Sequence, residues 1–240
     1  KIISWSKMDI NKIKKFLPKF FYNFLKTIYH ILRYHNLIKP KYSSSEKINF
    51  GQKEIGEFLK LKINNSKCYL EFGSGNTTIF ASQRSLNYYS IESDKNFYNF
   101  LIKEKNIDQL FFYDLGYVQF YSYPLFGGKF LKSYYQKKAK NYASKIFSLF
   151  EEKKITPDLI LVDGRYRVLC MLNIFLFLKM RNALNTCVII DDFENREYYF
   201  IIKEFFKVDI KGRLGICFLK NASSIENASK LIEKYSLDPR

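Results

Sequence analysis

Five stretches of the chain are apolar at almost every position and reach an acid at or near their end: residues 68–72, 88–92, 110–114, 158–163 and 187–192. Short unbroken apolar runs are how strands buried on both faces of a parallel sheet read, because neither face meets water. Between them the period changes. Residues 48–61, 95–105 and 168–180 read as helices, and Asn76, Thr77 and Thr78 are good helix openers after the first run. Further on, 199–206 reads as a helix, 207–210 and 214–219 as strands joined at Gly212 and Arg213, and 223–235 as a closing helix. Such a hairpin adds an antiparallel edge to an otherwise parallel sheet. The pattern predicts an α/β chain: a mostly parallel, doubly wound sheet with an antiparallel C-terminal edge hairpin.

Two segments stand apart from this rhythm. Over 9–35 the residues Ile13, Phe16, Leu17, Phe20, Phe21, Phe24, Leu25, Ile28, Ile31 and Leu32 recur at three- and four-residue steps, which predicts an amphipathic helix, or two divided at Pro18. Residues 39–46 then read as a linker. The predicted division is a basic helical extension over 1–45 and a domain over 46–240, with residues 9–35 expected to be dispensable for ligand binding. In the second segment Gly116, Tyr117, Tyr121, Tyr123, Pro124, Gly127 and Gly128 make an aromatic, glycine-punctuated loop. Six lysines from Lys129 to Lys145 follow it. A loop of this length is usually functional, and its aromatics argue for order, so it is expected to wall an acceptor pocket. The lysine run fits either a solvated helix face or a nucleic-acid contact.

The candidate chemistry gathers at the strand ends, where open α/β folds bind their ligands. Gly73 and Gly75 permit a tight turn and a close backbone approach, which makes Glu71, Gly73, Ser74, Gly75, Asn76 and Thr77 a nucleotide-type cradle. Glu92 stands where such folds place an acid on ribose hydroxyls, and Asp114 ends the next run. Residue 78 is Thr, so the dinucleotide pattern G-x-G-x-x-G is broken and NAD becomes a minor alternative. Glu-Phe-Gly-Ser-Gly-Asn at 71–76 resembles the first motif of class I S-adenosylmethionine-dependent methyltransferases. That resemblance implies a Rossmann-like fold, S-adenosylmethionine as cofactor, and roles for Glu92 on ribose and Asp114 near adenine.

The later runs carry Asp163, Asp191 and Asp192, with Arg165, Arg167, Arg196 and Tyr198 close in sequence. The segments Leu-Val-Asp-Gly-Arg-Tyr-Arg and Ile-Asp-Asp-Phe-x-x-Arg-x-Tyr resemble uncharacterised bacterial methyltransferase-like proteins often found near polysaccharide genes. They are more distantly similar to metal-dependent sugar and catechol O-methyltransferases, whose acids at these strand ends bind magnesium. The resemblance, which covers roughly 65–240, implies O-methylation of a sugar, glycan or other small anionic hydroxyl acceptor. Asp163, Asp191 and Asp192 are the expected catalytic carboxylates, and Arg165, Arg167, Arg196 and Tyr198 the expected acceptor contacts; the arginines fit equally a structural network with the same aspartates. Magnesium or manganese on the three aspartates is the alternative. Arg165 stands where those distant relatives carry an acid, so the expectation is a site neutralised by arginine rather than metal.

Composition changes the picture in two places. The net charge is +17, and residues 1–60 hold thirteen Lys and Arg against four acids. A basic helix with a Phe-rich face suits an anionic membrane, although a helix capping the domain or a dimer contact explains it as well. The excess of Lys, Asn, Ile, Phe and Tyr also follows from an AT-biased coding sequence. Charge alone favours a nucleic-acid methyltransferase, but the Asn-Pro-Pro-Tyr-type and Pro-Cys signatures of those enzymes are absent; a non-catalytic cofactor-binding or membrane-associated scaffold is the remaining alternative. The four cysteines form no C-x-x-C pair, His30 and His35 are five apart and do not share a helical face, and no apolar run is long enough to span a bilayer. A cytoplasmic protein, at most peripheral to the inner membrane face, is expected.

Overall fold

The computed structural model describes residues 18–240 except 39, 41, 43–47, 49, 85, 120, 121, 127 and 128. In order, the elements are α1 (Lys19–Tyr34), α2 (Lys53–Asn64), β1 (Cys68–Phe72), α3 (Asn76–Ser82), β2 (Asn87–Glu92), α4 (Lys95–Lys105), β3 (Leu110–Phe112) and α5 (Lys129–Glu152). Then come β4 (Leu159–Val162), α6 (Arg167–Met180), β5 (Cys187–Ile190), a 3-10 helix (Glu197–Glu204), β6 (Phe206–Lys211), β7 (Leu214–Leu219) and α7 (Ile225–Tyr235). The strands form one sheet in the order β3-β2-β1-β4-β5-β7-β6. The first five are parallel, and β7 joins β5 antiparallel and pairs with β6, so the chain has the expected Rossmann-like sheet and edge hairpin.

Strand parity sorts the core into two layers. Leu70, Phe72, Ile160, Val162, Val188 and Ile190 face the side covered by α5 and α6, whereas Tyr69, Leu159, Leu161 and Ile189 face the side of α2, α3 and α4. Glu71 shares the parity of Tyr69, so its side chain enters the second layer. Strand order reverses between β1 and β4, and ligand crevices form at the carboxyl edge of such a switch point. There the two chain paths nearly touch: a Cβ built on Gly73, whose φ is +94°, would lie 2.5 Å from the Cα of Gly164.

Several boundaries differ from the sequence reading. The helix in the N-terminal region starts after Pro18, whose missing N–H suits a helix entry, and residues 9–17 lie outside the described ones. The predicted third strand stops at Phe112, leaving Asp114 on the following loop, and the predicted helix over 199–206 is a 3-10 turn that hands over to β6 one residue early. The lysine run lies on α5, which continues to Glu152. Most of the predicted 39–46 linker falls outside the described residues.

Candidate functional site

The glycine turn is held by its own side chains. Thr77 and Thr78 donate their hydroxyls to the buried Glu71 carboxylate, Thr78 at 2.6 Å, and the Gly75 N–H donates to Thr78 Oγ1 at 2.9 Å. Glu71 and Thr77 are therefore engaged with each other beneath α3. Burial pushes the Glu71 carboxyl up to about 7 against the pull of Thr77, Thr78 and Ser90 toward the charged form. A carboxyl raised above its unfolded range stabilises the fold fully below that range, and the contribution drains away as pH rises to about 7. Hence Glu71→Gln is expected to gain on the wild type by up to about 3 kcal/mol between pH 4.5 and 7 in urea unfolding. A difference independent of pH would refute the assignment.

Ser74 turns toward β2 instead. Its hydroxyl donates to Glu92, whose other oxygen accepts the N–H groups of Ser93 at 2.6 Å and Asp94 at 2.7 Å. Glu92 is buried, which raises its pKa, yet a carboxylate has lone pairs left for a ligand hydroxyl after these three bonds. It lines a cavity together with Asp94, Phe112, Asp114 and Arg165. Asp114 binds Gly116 N–H at 2.8 Å and the Lys138 ammonium at 2.5 Å; burial works against its charge, but these donors outweigh it and hold the carboxyl below its ordinary range. Asn76 begins α3, and the space in front of Gly75 is open, since a Cβ there meets nothing within 4 Å.

The third wall of the cavity comes from α1. Arg33 pairs with Asp94, the Tyr34 hydroxyl donates to Asp114 at 3.1 Å, Asn96 binds the Arg33 carbonyl at 3.0 Å, and His35 meets the Tyr117 hydroxyl at 3.0 Å. His30, Arg33 and Tyr34 line the cavity. The helix read as dispensable thus supplies one wall, and deleting it would open the pocket. No local pattern signals this, because the partners lie more than sixty residues away.

Across the switch point, Asp163, Asp191 and Asp192 converge at the ends of β4 and β5 and are spanned by guanidinium groups. Arg167 binds Asp163 at 2.8 Å and the Asp191 carbonyl at 2.5 Å, and lies 3.4 Å from Asp192. Arg196 binds Asp192 at 2.7 Å, and Arg213 pairs with both Asp191 (2.7 Å) and Asp192. Guanidinium groups thus face all three carboxylates; the one shown on Asp163 is Arg167, while Arg165 lines the cavities on either side. Arg213, by sequence a residue of the hairpin turn, also belongs to the cluster. It is drawn in because its carbonyl accepts the Phe193 N–H at 2.8 Å, tying the hairpin turn to the end of β5. A divalent cation needs oxygen ligands these pairs already occupy, so the donor set does not fit one; among the described residues no group of three or more His, Cys, Asp or Glu is arranged to hold a metal.

Asp191 is buried under Arg213, whereas the Asp163 side chain keeps 32% of its surface exposed. Burial raises the Asp163 pKa, Arg167 opposes this, and the neighbouring Asp191 charge adds to the rise. Arg165, Arg167, Arg196, Tyr123, Tyr198 and Arg240 line a second cavity beside these acids. Arg196 donates to the Tyr198 hydroxyl at 2.8 Å, and the Arg240 guanidinium lies 4.7 Å from the Tyr198 ring centre. The carbonyls of Pro239 and Arg240 accept the N–H groups of Tyr166 and Arg167, both at 3.0 Å, so the C-terminal residues cap α6 and help fix this cavity. Among the described residues, Tyr123 is the aromatic of the predicted loop wall that lines this cavity.

No family model and no curated protein matches the chain in sequence. Among solved structures it is similar to a methyltransferase-like protein from Silicibacter pomeroyi, with a TM-score of 0.63 and 18% identity over 81% of this chain and all of that one. At that identity the likeness shows the fold. The four cysteines are buried and free, and among the described residues no helix is long and apolar enough to cross a membrane.

Proposed function

We propose that the chain is an S-adenosylmethionine-dependent methyltransferase that methylates a hydroxyl of a small anionic acceptor, a sugar or glycan unit. The observation that carries this reading is the pair of adjoining cavities that share Arg165, one bearing Glu92, Asp94 and Asp114, the other Arg167, Arg196 and Arg240. In the first cavity Glu92 keeps lone pairs for ribose hydroxyls, while Asp94 and Asp114 are already paired with Arg33 and Lys138; the arginine-lined cavity suits a carboxylate or phosphate, which guanidinium groups bind through paired hydrogen bonds. S-adenosylmethionine supplies an already activated methyl group, so the protein has to align the acceptor and take its proton. Asp163 is the base in this reading: its carboxylate is partly exposed, and burial together with the neighbouring Asp191 charge strengthens its hold on a proton. A cofactor held at Glu92 would supply its methyl group to the acceptor oxygen and keep the carbon–sulfur electron pair on sulfur, while Asp163 takes the hydroxyl proton.

Calorimetry with S-adenosylhomocysteine, using NAD as control, tests the cofactor. Methyl transfer to a panel of phosphorylated and uronic-acid sugars then tests the acceptor, and Asp163→Asn is expected to slow it by about 10²–10⁴-fold with S-adenosylhomocysteine affinity unchanged. Absence of binding, or equal binding of NAD, refutes the cofactor; transfer by Asp163→Asn at the wild-type rate refutes the base.

A further inference from the structure

The outer face of α1 is apolar and uncovered. Phe20, Phe21 and Phe24 are 78%, 56% and 54% exposed, and at 100° per residue they occupy a single arc. The opposite side of the helix carries the buried Tyr22 and His30 and the pocket residue Arg33, so the Phe arc points away from the domain. Exposed clusters of large apolar side chains mark a docking surface when a partner fits them.

The charge of the sequence that holds this helix selects the partner. Between Asp9 and Glu46 there is no acidic residue and there are seven lysines, while Arg33 is taken up by Asp94. A second copy of the chain would bring two such acid-free, lysine-rich stretches together. Residues 1–17 carry Lys1, Lys7, Lys12, Lys14 and Lys15 against Asp9 alone, and so repel such a stretch as well. A surface both apolar within and negatively charged outside fits, and an anionic lipid bilayer has that make-up: phenyl rings enter the acyl boundary while lysines meet the headgroups.

We infer that α1 docks the protein onto an anionic membrane surface through Phe20, Phe21 and Phe24. The helix is then the link between membrane and pocket, since Arg33 lies about 14–20 Å along its axis from these rings, at about 1.5 Å per residue. This inference is independent of the methyl-transfer reading, because it concerns a face that the two cavities do not use.

The test is co-sedimentation of the full chain with vesicles of phosphatidylcholine alone or with phosphatidylglycerol. The wild type is expected to pellet with the anionic vesicles only, and less at high salt. Phe20→Ser/Phe21→Ser/Phe24→Ser is expected to lower the partition at least about tenfold, with thermal melts confirming that the variant is folded. Lys19→Glu/Phe20→Ser, confined to two exposed positions, gives a smaller loss in the same direction and serves if the triple variant does not fold. Equal pelleting of variants and wild type, no pelleting, or equal binding to neutral vesicles overturns the inference. So does a concentration-dependent dimer in ultracentrifugation that the Phe variants abolish, which would assign the arc to a second copy.

Discussion

Gly73→Ala is expected to cost about 3 kcal/mol or more of stability, whereas Gly75→Val should leave the melting temperature near that of the wild type and remove ligand binding. Both glycines belong to one turn, but they are small for different reasons. Gly73 has a left-handed backbone, and its missing Cβ makes room for the backbone of Asp163 and Gly164, at 2.5–2.8 Å from where a Cβ would stand. Backbone cannot rotate away as a side chain can. An alanine there adds about 1–2 kcal/mol of conformational strain to about 1–3 kcal/mol of overpacking. Gly75 is extended and faces open space, so the fold tolerates a side chain and only a ligand crossing the turn would collide with it. Thermal unfolding and calorimetry with S-adenosylhomocysteine on the two variants separate these roles. A Gly73→Ala protein that melts like the wild type would remove the close approach of β1 and β4, and undiminished affinity in Gly75→Val would move the ligand off this turn.

The sheet was legible because its strands are short apolar runs, and a parallel strand covered on both faces has no other way to appear in a sequence. Acids ending those runs marked Glu92, Asp114, Asp163, Asp191 and Asp192, all of which the structure brings to the carboxyl edge of the sheet or the loops leaving it. Glu71 was grouped with them by proximity to the glycines, but the two-residue period of β1 turns its side chain beneath α3. Whether a strand-end acid faces a ligand or a helix depends on parity, and parity becomes readable only when both layers are in place. The arginines show the opposite limit. Arg165 and Arg167 both follow Asp163 closely, and only the start of α6 decides that Arg167 takes the bridging position. Arg213, twenty-one residues beyond Asp192, reads as an exposed turn residue until the hairpin pairs β7 with β5. The N-terminal helix was legible as a helix and invisible as a pocket wall, for contacts over such separations leave no periodic trace.

Arg213→Ala is expected to be among the most destabilising single changes in the site, at about 3 kcal/mol, although its side chain is 36% exposed. The reason lies in its partner. Asp191 has 2% of its side chain exposed, and Arg213 reaches it at 2.7 Å through both Nε and Nη2. Losing one member of a buried pair leaves a charge in a poorly solvated place, which costs more than the pair itself contributes. Arg167, 3.7 Å from Asp191, can take up only part of the role because it already serves Asp163. If this is right, Asp191→Asn in the Arg213→Ala background should recover stability, giving a coupling of about 1 kcal/mol or more in a double-mutant cycle. Arg196→Ala provides the contrast: it pairs at 2.7 Å with Asp192, but both groups reach solvent, at 42% and 22%, so its loss should cost within about 1 kcal/mol. Urea denaturation of the four variants decides the matter. Equal costs for Arg196→Ala and Arg213→Ala, or strict additivity of Arg213→Ala with Asp191→Asn, would mean that burial of Asp191 does not govern the network.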